Sequence, residues 1–553
     1  MINKKIVNEI DNFNKFNFNN NKKSDKLCNA YYEHLLNIIY PRLNKLHGLN
    51  WKKRSWRILI GPWLARFVYI IFNRYQIIKK VKLKNKTLIN KISLFKNKII
   101  IPEDLNHFTN LSMTNQYNFF IYNLLIKKNN IEKIEDKILK NKKNVNYLRV
   151  LFNIFLGTII KIFTKFLSPS KSVFIYKPYF SNYRFIFNLF FKLKKIPISY
   201  PIYLEKYFAF EDVSLKKRKI FQNIKSKNKF EQILIELIPF FIPKFYVENF
   251  KKNFCLANFF YPKHKTIITS AGVWKDNLFK IWLSETINNN GKLICRQHGG
   301  NYGQNQLIFE EKHEIKISDY YLTWGWKNNN KKIIPTVGLN SHSKKNNSIF
   351  QKKNILFFTQ TAHKYLYFDC GTMDKFKSDS YFKSIYSFFK YLNPNVRNEV
   401  FLRFKNLRDT SSKSSIDNEM KLKLQNKFKN LKISTTEKIY EDMFNKKLNI
   451  FTYNGTAFLQ ALKMNFPSII IFNKNYVYLT PSSKKIFKYL KNNNIFFDSP
   501  RKAAIFINKN YYNFDKWWNT IEVRKSVKYF IRKYNRQHLG FNDPVIKELK
   551  KII

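Results

Sequence analysis

Between residues 172 and 472 the sequence returns again and again to one device: a short apolar run of strand-forming residues, then a turn, then a stretch with helical spacing. Ser172-Val173-Phe174-Ile175-Tyr176 is such a run, and so are Thr266–Ser270, Leu293-Ile294-Cys295, Tyr320–Trp324, Ile355–Gln360, Val400–Arg403, Leu448–Thr452 and Ser468–Phe472. Continuous apolar runs, rather than alternating ones, belong to strands buried on both faces. Strand-then-helix alternation is the mark of a parallel sheet covered by helices. Pro335, Gly338 and the Ser/Asn/Lys stretch after them interrupt the series and predict a linker. In front, residues 29–75 have helical spacing, which Gly48 and Gly61-Pro62 are expected to cut into two or three helices. The chain therefore reads as α/β: a helical N-terminal extension (1–150) packed on a first Rossmann-like domain (151–345), then a second Rossmann-like domain (346–553).

Composition narrows the function classes. The formal net charge is +65 over 553 residues, which points to nucleic acid or an anionic membrane surface. The excess is almost all Lys, in a chain equally crowded with Asn, Ile, Phe and Tyr, so A/T-rich codon usage accounts for much of it; attraction to an anionic bilayer is its physical consequence. The basic residues are dispersed and no nucleic-acid-binding signature accompanies them, so no specific nucleic-acid partner is expected. The four cysteines, Cys28, Cys255, Cys295 and Cys370, are far apart, which predicts neither a disulfide framework nor a structural zinc site, and fits a reducing compartment. No secretory signal is read at the N-terminus. The apolar windows Ile58–Phe72 and Val150–Phe163 fall short of a membrane span. Buried helices are the ordinary reading of both, with an interfacial docking helix as the alternative. A cytoplasmic protein, peripheral on the inner face of the membrane, is the expectation.

Polar chemistry concentrates in residues 291–326. A strand ends at Arg296-Gln297-His298, and Gly299-Gly300 follow, where the backbone can turn tightly and come close to a ligand. Glu310, Glu311, Glu314 and Asp319 come next, ahead of another strand. His298 titrates near neutrality and suits a general base, and any of the four carboxylates is an alternative. In the second half Asn454-Gly455-Thr456 stands where a strand feeds a helix, a place where free N–H groups accept phosphate. Arg403, at a strand end, can grip a phosphate in bidentate fashion.

The set QHGG-NYG, a following glutamate and SDYYLTWGW resembles a family of transferases from bacterial O-antigen and surface-polysaccharide gene regions. LNKLHG, SWRILIGPWL, YNGTAFLQAL and DKWW belong to the same likeness, which runs from about residue 30 onward. The layout is similar to GT-B glycosyltransferases, whose two Rossmann-like domains face each other, and to capsule Kdo transferases with a Gln-His-Gly motif. The resemblance implies a metal-independent glycosyltransferase with no cofactor, using a nucleotide-sugar as co-substrate and a glycan or lipid-linked acceptor. It implies that Asn454, Gly455 and Thr456 hold donor phosphate with Arg403 nearby, and that His298 and the acidic residues face the acceptor; Gln297, Gly299 and Gly300 are expected among the substrate- and donor-binding residues. Gln460 stands where many such enzymes carry a ribose-binding glutamate. A sugar-nucleotide epimerase, a polyol-phosphate transferase and a non-catalytic basic nucleic-acid- or membrane-binding protein are the alternatives.

Overall fold

The computed structural model describes residues 21–84, 100–127, 172–178, 191–199, 211–261, 263–338, 354–366, 375–404, 416–473, 477–537 and 544–553, with isolated positions between 152 and 162. Their strands form two six-stranded sheets, parallel throughout. The first holds β1 (Ser172–Tyr176), β2 (Ile196–Ser199), β3 (Thr266–Thr269), β4 (Lys292–Arg296), β5 (Tyr320–Thr323) and β6 (Ile333–Pro335), in the order β2-β1-β3-β4-β5-β6. The second holds β7 (Ile355–Phe358), β8 (Val400–Arg403), β9 (Lys432–Ile433), β10 (Leu448–Phe451), β11 (Ser468–Ile471) and β12 (Phe496–Phe497), in the order β12-β11-β10-β7-β8-β9. Each sheet is doubly wound. The direction of winding reverses between β1 and β3 and between β7 and β10, where ligands enter at the carboxyl ends of strands. This is the expected α/β architecture, two Rossmann-like sheets with a helical layer in front. The apolar runs are strands because both of their faces are covered: β1, β7, β10 and β11 are buried at every position.

The helical layer opens with α1 (Lys22–His47), whose N-cap Asn21 accepts the Lys23 and Ser24 N–H groups. Gly48 ends it in the left-handed conformation, φ 68°. The next helix, α2 (Lys53–Lys84), runs straight through Gly61-Pro62, which was expected to break it. Gly61 serves packing instead: a Cβ there would stand 2.8 Å from Tyr32 Oη and 2.9 Å from His313 Cε1. Although α2 is long and apolar enough to span a membrane, 94% of its most apolar window is buried, so Ile58–Phe72 is core. It lies along the first domain, where Ser284 Oγ donates to Ser55 O at 2.9 Å. The layer continues in α3 (Leu105–Ser112) and α4 (Asn115–Lys127). Most of the window 150–163 lies outside the described residues; within it Phe152, Phe155, Ile159 and Ile162 are helical and exposed by 60%, 62%, 46% and 54%.

Two further helices frame the site: α5 (Phe309–Ile317) between β4 and β5, and α6 (Thr456–Lys463) after β10. The last helix, α7 (Pro544–Ile552), returns to the first sheet. Its Val545, Ile546 and Leu549 form a separate apolar cluster with Val173, Ile175, Ile268, Ile294 and Leu322. The expected second domain, 346–553, thus gives its final helix to the first. The expected linker is also ordered at its start, since Ile333–Pro335 pairs with β5 as an edge strand.

Candidate active site

The chain leaves β4 at Gln297, whose side chain is fully buried. Its Oε1 accepts the Trp324 N–H at 2.9 Å and the Trp326 indole N–H at 2.8 Å, while its Nε2 donates to Gly299 O at 2.8 Å. Gln297 therefore staples the loop to the end of β5 rather than reaching toward a ligand. Gly303, at φ 72°, lies flat on the Trp326 ring, and a Cβ would come within 2.4 Å of it. Between these two fixings the loop turns back and presents His298.

Behind His298 lies a buried carboxylate. His298 Nδ1 stands 3.2 Å from Glu314 Oε1, and Glu314 is wholly shielded from solvent, while the imidazole keeps 22% exposure. Helix α5 runs from the carboxyl ends of the strands toward their amino ends, which sets Glu314 one turn beneath the loop. Its oxygens accept the Trp274 indole N–H at 2.6 Å, the Tyr321 hydroxyl at 2.9 Å and the Tyr302 hydroxyl at 3.3 Å. These donors offset the cost of burying a charge. Burial, followed by the charge of Glu314, raises the Tyr302 and Tyr321 hydroxyls well above their usual range, so both stay donors. The imidazole thus has one nitrogen 3.2 Å from a fixed carboxylate while part of its ring stays open to solvent. That is the arrangement of an oriented general base.

Glu310 and Glu311 occupy the first turn of α5. Glu311 accepts the Gly303 N–H. Burial raises its carboxyl, the Gly303 hydrogen bond offsets part of that and Glu314 adds to it, leaving it at about 8. At neutral pH it is mostly protonated, which favours His298 over it as base. Asp319 does not join the group. It precedes β5, at the opposite edge of the parallel sheet, where it binds Arg54 through both oxygens at 2.9 and 2.7 Å and caps the Leu293 N–H at 2.8 Å. A cavity of about 270 Å³ adjoins it, lined by Lys52, Arg54 and Gly291 among others. That cavity lies at the amino ends of the strands, away from the edge where open α/β sheets bind ligands.

Facing the His298 loop is the β10–α6 turn. Gly300 packs directly on it: a Cβ at Gly300 would lie 2.4 Å from Thr456 N and 2.6 Å from Gly455 C. Asn454, buried, donates to Gln304 Oε1 at 3.1 Å and to Asn305 Oδ1 at 2.8 Å. Asn305 bridges antiparallel to Leu479, and Gln306 bonds Tyr478 O and Leu479 O at 2.8 and 2.9 Å. The two motifs read separately in the sequence, Gln-His-Gly-Gly and Asn-Gly-Thr, therefore meet at the domain junction. Asn454 is spent on that junction, while Gly455, the N-cap, and Thr456, at the first helical position, put the start of α6 beside the loop. Gln460 is half-buried one turn further along α6.

Arg403 is committed elsewhere. Its guanidinium pairs with the buried Asp442 at 2.6 Å and donates to Thr436 O and Glu437 O at 2.7 and 3.1 Å. It closes the β9 connection, and the expected grip on phosphate is corrected to an internal ion pair. Sequence reading missed Trp274, Tyr302 and Tyr321, which build the Glu314 pocket, and Gln304–Gln306, which join the domains. Tyr302 and Tyr321 stood inside the NYG and SDYYLTWGW stretches but as aromatic residues with no polar signal to set them apart, and Trp274 stood alone. The second set stood in plain view, as an amide run directly after Gly303. Among the described residues no cluster of His, Cys, Asp and Glu is suited to hold a metal ion.

A family model described as LIC12162 family transferase matches residues 10–552. Among solved structures, similarity is found to MurG of Acinetobacter baumannii, with a TM-score of 0.30 and 10% identity over 69% of this chain and 99% of that one. Similarity is also found to WaaG, a glycosyltransferase involved in lipopolysaccharide biosynthesis, with a TM-score of 0.29, 11% identity and the same coverages. No curated protein sequence matches.

Proposed function

Since this chain belongs to the LIC12162 family of transferases, we propose that it is a glycosyltransferase that moves a sugar from a nucleotide-activated donor to a surface-polysaccharide acceptor. The observation that carries this reading is the His298–Glu314 pair, held where the loop of one Rossmann-like domain meets the β10–α6 turn of the other. In the proposed step His298 takes the proton of the acceptor hydroxyl as its oxygen bonds to the anomeric carbon. The bond from that carbon to the donor phosphate breaks, and the phosphate leaves with the electron pair. Glu314 supports the imidazolium that forms. In this reading the free amides of the first turn of α6 stabilise the charge of the leaving phosphate. The acceptor is lipid-linked and the protein docks from the cytoplasm on an anionic bilayer. The charge of +65 and the exposed Phe152, Phe155, Ile159 and Ile162 support that docking.

The test has two parts. A thermal-shift screen of CMP, CDP, UDP and GDP and their sugars, at fixed salt, is expected to single out one donor class. With that donor and a lipid-linked acceptor, His298→Asn is expected to lower turnover by about 10²–10⁴-fold while leaving the melting temperature within the range of surface variants. Full turnover by His298→Asn would sink the base assignment. Conversion of the nucleotide-sugar alone, with no acceptor, would make the protein an epimerase, and stabilisation by duplex DNA in place of nucleotides would make it a basic binding protein.

A further inference from the structure

We infer that the cavity at the amino edge of the first sheet is a second binding site, built for a phosphate monoester and separate from the cleft of His298. It goes beyond the transfer reading and does not rest on it. The cavity, of about 270 Å³, lies at the start of α2, where Lys52, Arg54 and Ser55 line it. A second hollow of about 400 Å³ adjoins it, and Asn290, Gly291 and Asp319 border both. The two make one trough. Its walls carry five cations, Lys52, Arg54, Lys292, Lys331 and Lys332, against one carboxylate, Asp319.

The positive pole of a 32-residue helix points here, and the first turn of that helix holds no acidic residue. Lys52 precedes it, and a lysine side chain has no acceptor with which to cap. The N–H groups of Lys53 and Arg54 find no acceptor among the described residues. Cations gathered at that end oppose the dipole, and an anion there relieves both. Ser55 is an independent sign of a ligand. It lines the cavity, is fully buried, and its hydroxyl has no hydrogen-bond partner among the described residues. A polar group left in that state costs stability until something meets it.

The charges say what fits. Asp319 is already spent: Arg54 takes both of its oxygens at 2.9 and 2.7 Å, and the Leu293 N–H adds a third bond at 2.8 Å. Lys53 is met by Glu33 at 3.4 Å. Lys292 Nζ donates to Ile552 O at 2.6 Å, and Lys332 Nζ to Ser318 O at 2.8 Å. Lys52 and Lys331, one from each hollow, make no hydrogen bond or ion pair through their side chains among the described residues. What remains for a ligand is two ammonium groups, open helix amides and a hydroxyl, all of them donors. Phosphate oxygens are the matching acceptors. The second hollow, beside Tyr320, leaves room for the body that carries the phosphate.

Calorimetric titration of the full chain with inorganic phosphate and with glucose 6-phosphate, at fixed salt, tests this. Ser55→Ala and the double variant Lys52→Ala/Lys331→Ala are each expected to weaken binding by about tenfold or more. Lys423→Ala, which removes a surface lysine paired with Glu419, is expected to leave it unchanged. Because Ser55→Ala deletes only an unpartnered hydroxyl, its melting temperature without ligand should match the wild type. A marked fall would show that the hydroxyl is bonded within the fold and would overturn the inference. Wild-type affinity in both the Ser55 and the lysine variants would overturn it too. So would an equal loss in Lys423→Ala, which would assign the binding to net charge. A wild-type chain that binds neither probe removes the site and leaves the transferase reading standing. Nucleotide affinity is expected to be the same in Ser55→Ala as in the wild type, and a parallel loss would merge the cavity with the donor site and end its separate role.

Discussion

At the scale of single residues, the site is made by pairing groups whose environments differ. Glu314 is buried among three donors, His298 is held on its edge, and Glu311, a turn above Glu314, is pushed up to about 8. Replacing Glu314 by Gln keeps the shape and removes the charge behind the imidazole. Turnover is expected to fall while donor affinity holds, and a matched fall in affinity would argue against a positioning role for that carboxylate. Arg403 gives the opposite case. Removing it strands the Asp442 carboxylate, 2% exposed, without its cation. Such a loss costs about 3–5 kcal/mol, so Arg403→Ala should shift the urea midpoint strongly, whereas a variant of normal stability with weakened nucleotide binding would restore Arg403 to the site. Both residues were visible in the sequence as polar groups at strand ends. What separated them was the residue behind each, Glu314 for His298 and Asp442 for Arg403.

At the scale of elements, two turns meet backbone to backbone. Gly300 lies on Thr456 N and Gly455 C with no room for a methyl group. Gly300→Ala is expected to wedge the His298 loop away from α6, and a displacement of this kind costs about 100-fold in turnover without unfolding either sheet. Wild-type turnover in Gly300→Ala would show that the contact is incidental to chemistry. The strands were legible because buried parallel strands write themselves as apolar runs, as in β10 and β11. Two short edge strands, β6 and β12, were not, since their three and two residues stand out little from the turns beside them. Gly61-Pro62 misled for a physical reason: a Gly-Pro pair usually ends a helix, but here the missing Cβ admits Tyr32 and His313, and burial on every side holds α2 together.

At the scale of the whole molecule, buried histidines tie stability to pH. Burial is the main cause that lowers His47 and His264 to about 4 each. Their unfolded-state values are near 6.5, so the folded chain binds fewer protons and stability is lost as pH falls from about 6.5 to about 4. Glu311, raised to about 8, works the other way and loses its contribution as pH rises from about 4.5 to 8. Between pH 4.5 and 6.5 His47 and His264, joined by His313, which burial also lowers well below its usual value, outweigh Glu311, so unfolding takes up at least about one proton, or about 1.4 kcal/mol or more per pH unit. Urea midpoints across that range should fall with pH, and His264→Asn should flatten the slope; an unchanged slope would show that His264 is protonated in the folded state. The two-domain plan was legible from the alternation of runs and helices. The contacts that unite the domains were not, because they join residues far apart in sequence, such as Asn305 with Asn454 and Arg74 with Tyr365.

The last helix, α7, lies on Val173, Ile175, Ile268, Ile294 and Leu322, strand residues made long before it. At a synthesis rate of about 5–20 residues per second, that face waits on the order of ten to forty seconds after β6 is made before α7 emerges to cover it. During that interval a nascent chain shows an apolar surface that a trigger-type chaperone can hold. The first domain can finish folding only once the second has been translated, so the order in which the parts are made is the reverse of the order in which they are sealed.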